Sequence, residues 1–107
     1  MVVSITKVEL NSYSKLIPFF KFNGQIIKEL KQSTCKEFKL TSDFNLKVWY
    51  TMTLWGNEND INYFYRNGTH LEAMKQANLF SSKIQSKRID NVELINWKDA
   101  KKLFLRN

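Results

Sequence analysis

The segment Val48-Trp49-Tyr50-Thr51-Met52-Thr53-Leu54-Trp55 constrains the fold more than any other part of the chain. No charged residue falls between Lys47 and Glu58. The run is short and rich in β-branched and aromatic side chains, which favours a strand over a helix. Successive strand side chains point to opposite faces, so Val48, Tyr50, Met52 and Leu54 share one face and Trp49, Thr51, Thr53 and Trp55 the other. A strand with one wet face would alternate apolar with charged residues. This one does not, so both of its faces need cover. The remaining sequence supplies helices for one face, and the other is expected to meet a second copy of the chain.

Punctuation along the sequence places the other elements. Val2 to Val8 reads as a first strand. Ser14 is expected to cap a helix with Pro18 in its first turns and Phe19, Phe22, Ile26 and Leu30 along one stripe; Asn23-Gly24 kinks or splits it. Cys35 to Leu40 reads as a second strand, joined to the central one through the turn residues Thr41-Ser42-Asp43. Asn57, followed by Glu58 and Asp60, marks a helix start, with Ile61, Phe64 and Tyr65 on its inner stripe. Thr69-His70-Leu71-Glu72 is a capping box that opens another helix, carrying Ala73, Met74, Ala77 and Phe80. Ser82 to Ile89 forms a fourth strand, which Val92 to Ile95 extends. Asn96 caps a last helix, Trp97 to Leu105, with Trp97, Ala100 and Phe104 on one side. The order strand, helix, strand, strand, helix, strand is the split βαβ, ferredoxin-like plan. It predicts an α+β domain over residues 1–107 in which a four-stranded antiparallel sheet carries two helices on one face and leaves the other bare.

Composition narrows the function classes. The chain has 107 residues, a net charge of +7 and a single cysteine, Cys35. One cysteine and one histidine exclude disulfides within the chain, multi-cysteine metal sites and paired-histidine ligation. Cys35 reads as a core filler. The three glycines stand alone, so no phosphate-cradling loop is present. The basic residues are dispersed along the whole chain and no Lys/Arg-Gly-Phe/Tyr-x-Phe pattern occurs, which ranks nucleic acid below small-molecule partners. No apolar run is long enough to span a membrane, and the first residues do not have a signal-peptide pattern, so the expected location is the cytoplasm.

Two stretches carry a family likeness. Tyr50-Thr51-Met52-Thr53-Leu54-Trp55, with Phe64-Tyr65-Arg66-Asn67-Gly68-Thr69-His70-Leu71-Glu72-Ala73-Met74, resembles small proteins of the dimeric α+β barrel superfamily. The likeness is to antibiotic-biosynthesis monooxygenase-like proteins and, through Thr-x-Thr-Leu-Trp and His-x-x-Ala-Met, to spheroidene monooxygenase-like ones. It covers about residues 48 to 75; the first half matches in order of elements alone. The resemblance implies a homodimeric dimeric α+β barrel and a pocket between helix and sheet. Its activities range from cofactor-free oxygenation to haem chemistry, so the cofactor is expected to be none or haem. Fold by itself does not decide among them.

His70 is the single histidine and the candidate catalytic residue, as base or axial ligand. In the first turn of a helix, the positive end of the dipole would keep its imidazole neutral. A lone histidine at a helix start is also a common packing residue. Tyr50, Thr51, Thr53, Trp55 and Met74 are the candidate ligand-binding residues, with Trp49, Tyr63 and Tyr65 as further aromatic walls; each has an alternative reading as core. The expected function is a monooxygenase-like protein that binds a small apolar or aromatic molecule in a helix–sheet pocket, with a monooxygenase-type oxidoreductase as the enzyme class the resemblance allows. The alternative is a non-catalytic small-ligand or haem-binding module.

Overall fold

A computed structural model describes residues 1–66 and 81–105 of the chain. Its elements are β1 (Val2–Leu10), a short 3-10 turn (Tyr13–Lys15), α1 (Leu16–Gln32), β2 (Glu37–Ser42), β3 (Val48–Trp55), α2 (Glu58–Tyr65), β4 (Ser81–Asp90) and α3 (Trp97–Lys102). The four strands form one antiparallel sheet in the order β2-β3-β1-β4, the ferredoxin-like arrangement expected from the element order. β3 lies inside the sheet, as its uncharged sequence requires.

Register assigns every strand residue to a face. Val2, Ser4, Thr6 and Val8 stand opposite Trp55, Thr53, Thr51 and Trp49. This face carries α1 and α2. At one end, Leu10 and Phe19 form a cluster with Leu16, Phe22, Trp49 and Ile84 packed around it. At the other, Val2, Leu30, Trp55 and Ile61 pack with Ile26, Cys35, Phe38 and Phe64. The stripe Phe19, Phe22, Ile26, Leu30 therefore faces the sheet along the full length of α1.

Several local expectations are corrected. Ser14 does not cap α1; its hydroxyl bonds to that of Ser12 at 2.7 Å, and α1 starts from Lys15 with no side-chain cap. The preceding 3-10 turn already aligns the chain, so a hydroxyl cap is dispensable there. Asn23-Gly24 does not split the helix, which runs unbroken from Leu16 to Gln32. Gly24 is exposed, and a β-carbon added there would meet nothing within 4 Å. β2 starts at Glu37, two residues later than expected, leaving Cys35 in the approach to the strand. Asn57 does cap α2, its Oδ1 accepting from the Asp60 amide at 2.9 Å. The capping box at Thr69 and the helix after it lie outside the described residues.

The second face of the sheet is not bare. Val92 to Ile95 does not extend β4; the chain bends after Asp90 and crosses back over the sheet. Asn96 caps α3 through a 2.8 Å bond from the Asp99 amide. Ala100 and Phe104, with Leu94, Ile95, Trp97 and Leu103, then pack on Val3, Ile5, Tyr50, Met52 and Leu54. Val3, Ile5 and Met52 are completely buried by this contact within a single chain. Each such side chain contributes about 1.5–3 kcal/mol by leaving water. The bare-face expectation fails because the C-terminal segment, short as it is, brings five large apolar side chains, Leu94, Ile95, Trp97, Leu103 and Phe104, onto the sheet. Cations finish the seal: Lys101 Nζ lies 3.0 Å from Asp43 and 5.0 Å from the Tyr50 ring centre, and Lys39 Nζ lies 5.0 Å from the Trp97 ring.

Burial, the neighbouring Asp43 charge and a hydrogen bond to Asp43 all raise the pKa of the Tyr50 hydroxyl above its usual 10.0. The unfolded chain ionises this tyrosine first, so its contribution is intact below pH 10 and is lost as pH rises through the folded-state value. Denaturant titrations should therefore show stability falling more steeply above that pH in the native protein than in Tyr50→Phe. Identical alkaline profiles would contradict the burial of this hydroxyl.

Candidate functional site

The helix-covered face of the sheet is apolar at both ends and polar in the middle. Two cross-strand rows make the polar band: Phe38, Thr53, Ser4 and Arg88 in one, and Leu40, Thr51, Thr6 and Ser86 in the other. Hydroxyl side chains in the centre of a sheet face, between two hydrophobic clusters, must either bond to one another or meet something polar.

The first row is internally satisfied. Trp55 Nε1 donates to Thr53 Oγ1 at 2.7 Å, and Thr53 Oγ1 donates to the Ser4 carbonyl at 3.4 Å. Ser4 Oγ shares a 2.8 Å hydrogen bond with the Tyr65 hydroxyl, delivered from the last turn of α2. Ser4 and Thr53 are both buried. Arg88 closes the edge, its guanidinium 5.6 Å from the Tyr65 ring and its Nη1 donating to Asn62 at 3.1 Å. Aromatic contacts hold the wall: Trp55 and Phe64 stack tilted at 5.4 Å between centres.

The second row is the open one. Thr6 and Thr51 are half-buried cross-strand partners, Ser86 is exposed, and Leu40 is 37% exposed. This row presents hydroxyl groups beside an apolar side chain, a pairing suited to a small molecule with an apolar body and one or two polar atoms.

The candidate ligand residues thus divide. Thr51, Thr53 and Trp55 come together on this face, with Trp49 at its far end. Tyr50 points the opposite way, into the contact with Trp97 and Phe104 at 6.3 and 6.1 Å between ring centres. One residue's displacement along a strand reverses the face, so Tyr50 and Thr51 cannot line one pocket. Tyr63, on α2, is 73% exposed. His70 and Met74 lie outside the described residues.

Ser4, Thr6, Ser86 and the Tyr65–Ser4 bond were missed by sequence reasoning. A signal existed: Ser4 and Thr6 alternate with Val3 and Ile5 just as Thr51 and Thr53 alternate with Tyr50, Met52 and Leu54. Two strands with the same hydroxyl alternation, paired in register, put those hydroxyls side by side.

Cys35 fits its reading as a filler. It is half-buried, its thiol donates to the Glu37 carbonyl at 3.2 Å, and burial pushes its pKa up, away from the reactive thiolate. Among the described residues no group of three His, Cys, Asp or Glu side chains could hold a metal ion, and none supplies an imidazole. Haem ligation by histidine thus depends on His70.

Comparison with solved structures agrees with this architecture. The chain superposes on a proposed antibiotic biosynthesis monooxygenase from Deinococcus radiodurans with a TM-score of 0.77, 14% identity, and 90% of this chain and 97% of that one covered. A second antibiotic biosynthesis monooxygenase gives a TM-score of 0.77 at 10% identity, covering 87% and 100%. A conserved protein from Methanosarcina mazei Go1 gives 0.75 at 12% identity, covering 84% and 91%. The sequence matches no protein-family model and no curated protein. At these identities the likeness is one of fold: an α+β, ferredoxin-like chain with the architecture of the antibiotic-biosynthesis monooxygenase-like group.

The two hydroxyl rows should respond differently to substitution. Thr53→Val leaves the buried Trp55 N–H without an acceptor and should cost about 1–3 kcal/mol in urea denaturation. Thr51→Val, in the open row, should change stability by less than about 0.5 kcal/mol. Equal costs would contradict the division into a structural and an open row.

Proposed function

We propose that this chain is a monooxygenase-like protein that takes a small apolar or aromatic molecule against the open hydroxyl row of its sheet. The observation behind this reading is the placement of Thr6, Thr51 and Ser86 beside Leu40, on the face where the helices of the fold lie. The resemblance to the monooxygenase-like group supports the reaction class. His70, the one imidazole in the sequence, is proposed as the acid–base group or axial ligand, with Met74 near the bound molecule. Thr51 orients the ligand, while Thr53 and Trp55 keep the wall rigid behind it.

A non-catalytic binding module is the second reading. One fact favours it: the open row itself, among the described residues, holds hydroxyl and aliphatic groups and no acid–base pair. Turnover would then depend wholly on His70.

The homodimer is likewise proposed from the resemblance, no longer from a bare sheet face. No helix of the described chain is long and apolar enough to cross a membrane.

Tryptophan fluorescence can test the proposed site with 1-naphthol as a probe. Saturable quenching is expected, weakened roughly threefold to tenfold in Thr51→Val, the value of one hydrogen bond, with the melting temperature unchanged. Oxygen uptake in the presence of the probe, abolished in His70→Ala while binding persists, would support the oxygenase reading. Binding without uptake favours the module. No saturable binding, or affinity indifferent to Thr51, contradicts the site.

A further inference from the structure

We infer that the end of the molecule formed by the β2–β3 hairpin and the start of α1 is a docking surface for an anionic lipid surface. Of the ten large apolar side chains that are exposed among the described residues, five lie here: Tyr13 (55%), Ile17 (71%), Phe20 (48%), Phe44 (106%) and Leu46 (46%). Scattered single exposures need no explanation, but this concentration at one end does. The residues are held together. Phe20 meets the Trp49 ring edge-on at 5.1 Å, Trp49 Nε1 donates to the Leu46 carbonyl at 2.8 Å, and Lys47 Nζ sits 4.8 Å from the Tyr13 ring centre.

The hairpin tip is built at a conformational cost. The Leu46 amide closes a turn onto the Asp43 carbonyl at 2.9 Å, and the Asp43 amide bonds the Val48 carbonyl at 2.8 Å. Leu46 takes φ 61°, the left-handed region where glycine is the ordinary occupant. A leucine here, 46% exposed, is unfavourable for the turn and does not fill the core. Strain kept at an exposed position points to use of the side chain.

Charge selects the occupant. Lys15 and Lys21 flank Ile17 and Phe20 along the start of α1, and Lys47 lies over Tyr13. Of the carboxylates at this end, Asp43 is engaged by Lys101 at 3.0 Å and Glu9 stands opposite Val48, so the lysines outnumber them. The chain as a whole carries +7. A protruding tip, with Phe44 wholly exposed, suits insertion between headgroups better than a concave protein surface. Aromatic side chains rimmed by lysines are the composition that partitions into an anionic interface. This proposal is independent of the hydroxyl row on the sheet.

Vesicle co-sedimentation tests it. The protein should bind phosphatidylcholine–phosphatidylglycerol vesicles at low salt, bind phosphatidylcholine alone far less, and release at high salt. Phe44→Ser should reduce partitioning at least about tenfold with an unchanged melting temperature. Leu46→Gly should also reduce partitioning while raising the melting temperature, because it relieves the left-handed residue. The proposal is overturned if the native protein ignores anionic vesicles, if binding is equal on neutral ones, or if both variants bind as well as native. A change of sedimentation mass in Phe44→Ser would also overturn it, by assigning the tip to contact between copies of the chain.

Discussion

Everything in this fold depends on β3 carrying no charge on either of its faces. A strand of that kind is stable only when covered on both sides, and this chain covers it twice over with its own elements. α1 and α2 take the face of Trp49 and Trp55. The C-terminal segment takes the face of Tyr50, Met52 and Leu54. The second cover is small, a six-residue helix and its flanks, so it relies on large side chains and on fixed cations. Lys101 is used twice, pairing Asp43 and lying over Tyr50, which couples the tip of the β2–β3 hairpin to the seating of α3.

The same strand supplies the candidate site. Its hydroxyl positions alternate with the residues under α3, so the register that buries Met52 necessarily turns Thr51 and Thr53 toward the helices. β1 repeats the pattern with Ser4 and Thr6. The polar band follows from two strands paired in register, each interrupting an apolar face at equivalent places. One row of the band is consumed by bonds to Trp55 and Tyr65, and the neighbouring row, half-buried at Thr6 and Thr51 and exposed at Ser86, is the one proposed for ligand contact.

Sheet, strand pairing and the stripe of α1 were legible in the sequence, because periods of two and of three to four residues survive without tertiary context. The caps at Asn57 and Asn96 were legible for the same local reason. The alternation of a strand also separates Tyr50 from Thr51, although both read as ligand residues by type. What sequence reasoning could not supply was the course of the chain after Asp90. Val92 to Ile95 is apolar enough for a strand, and only the sheet beneath it makes a crossing segment more favourable. Ser14 looked like a cap because a 3-10 turn leaves no pattern of its own. Ser4 and Ser86 carry no motif; they join the polar band solely by pairing with Thr53 and Thr6.

The most direct measurement of this account is the stability of Phe104→Ala by urea denaturation across a range of protein concentrations. Phe104 is 8% exposed and contacts Tyr50, so a C-terminal segment that covers the sheet should lose about 3 kcal/mol, at every concentration. A loss below about 0.5 kcal/mol, the value for a surface position, would contradict the claim that one chain covers both faces of its central strand.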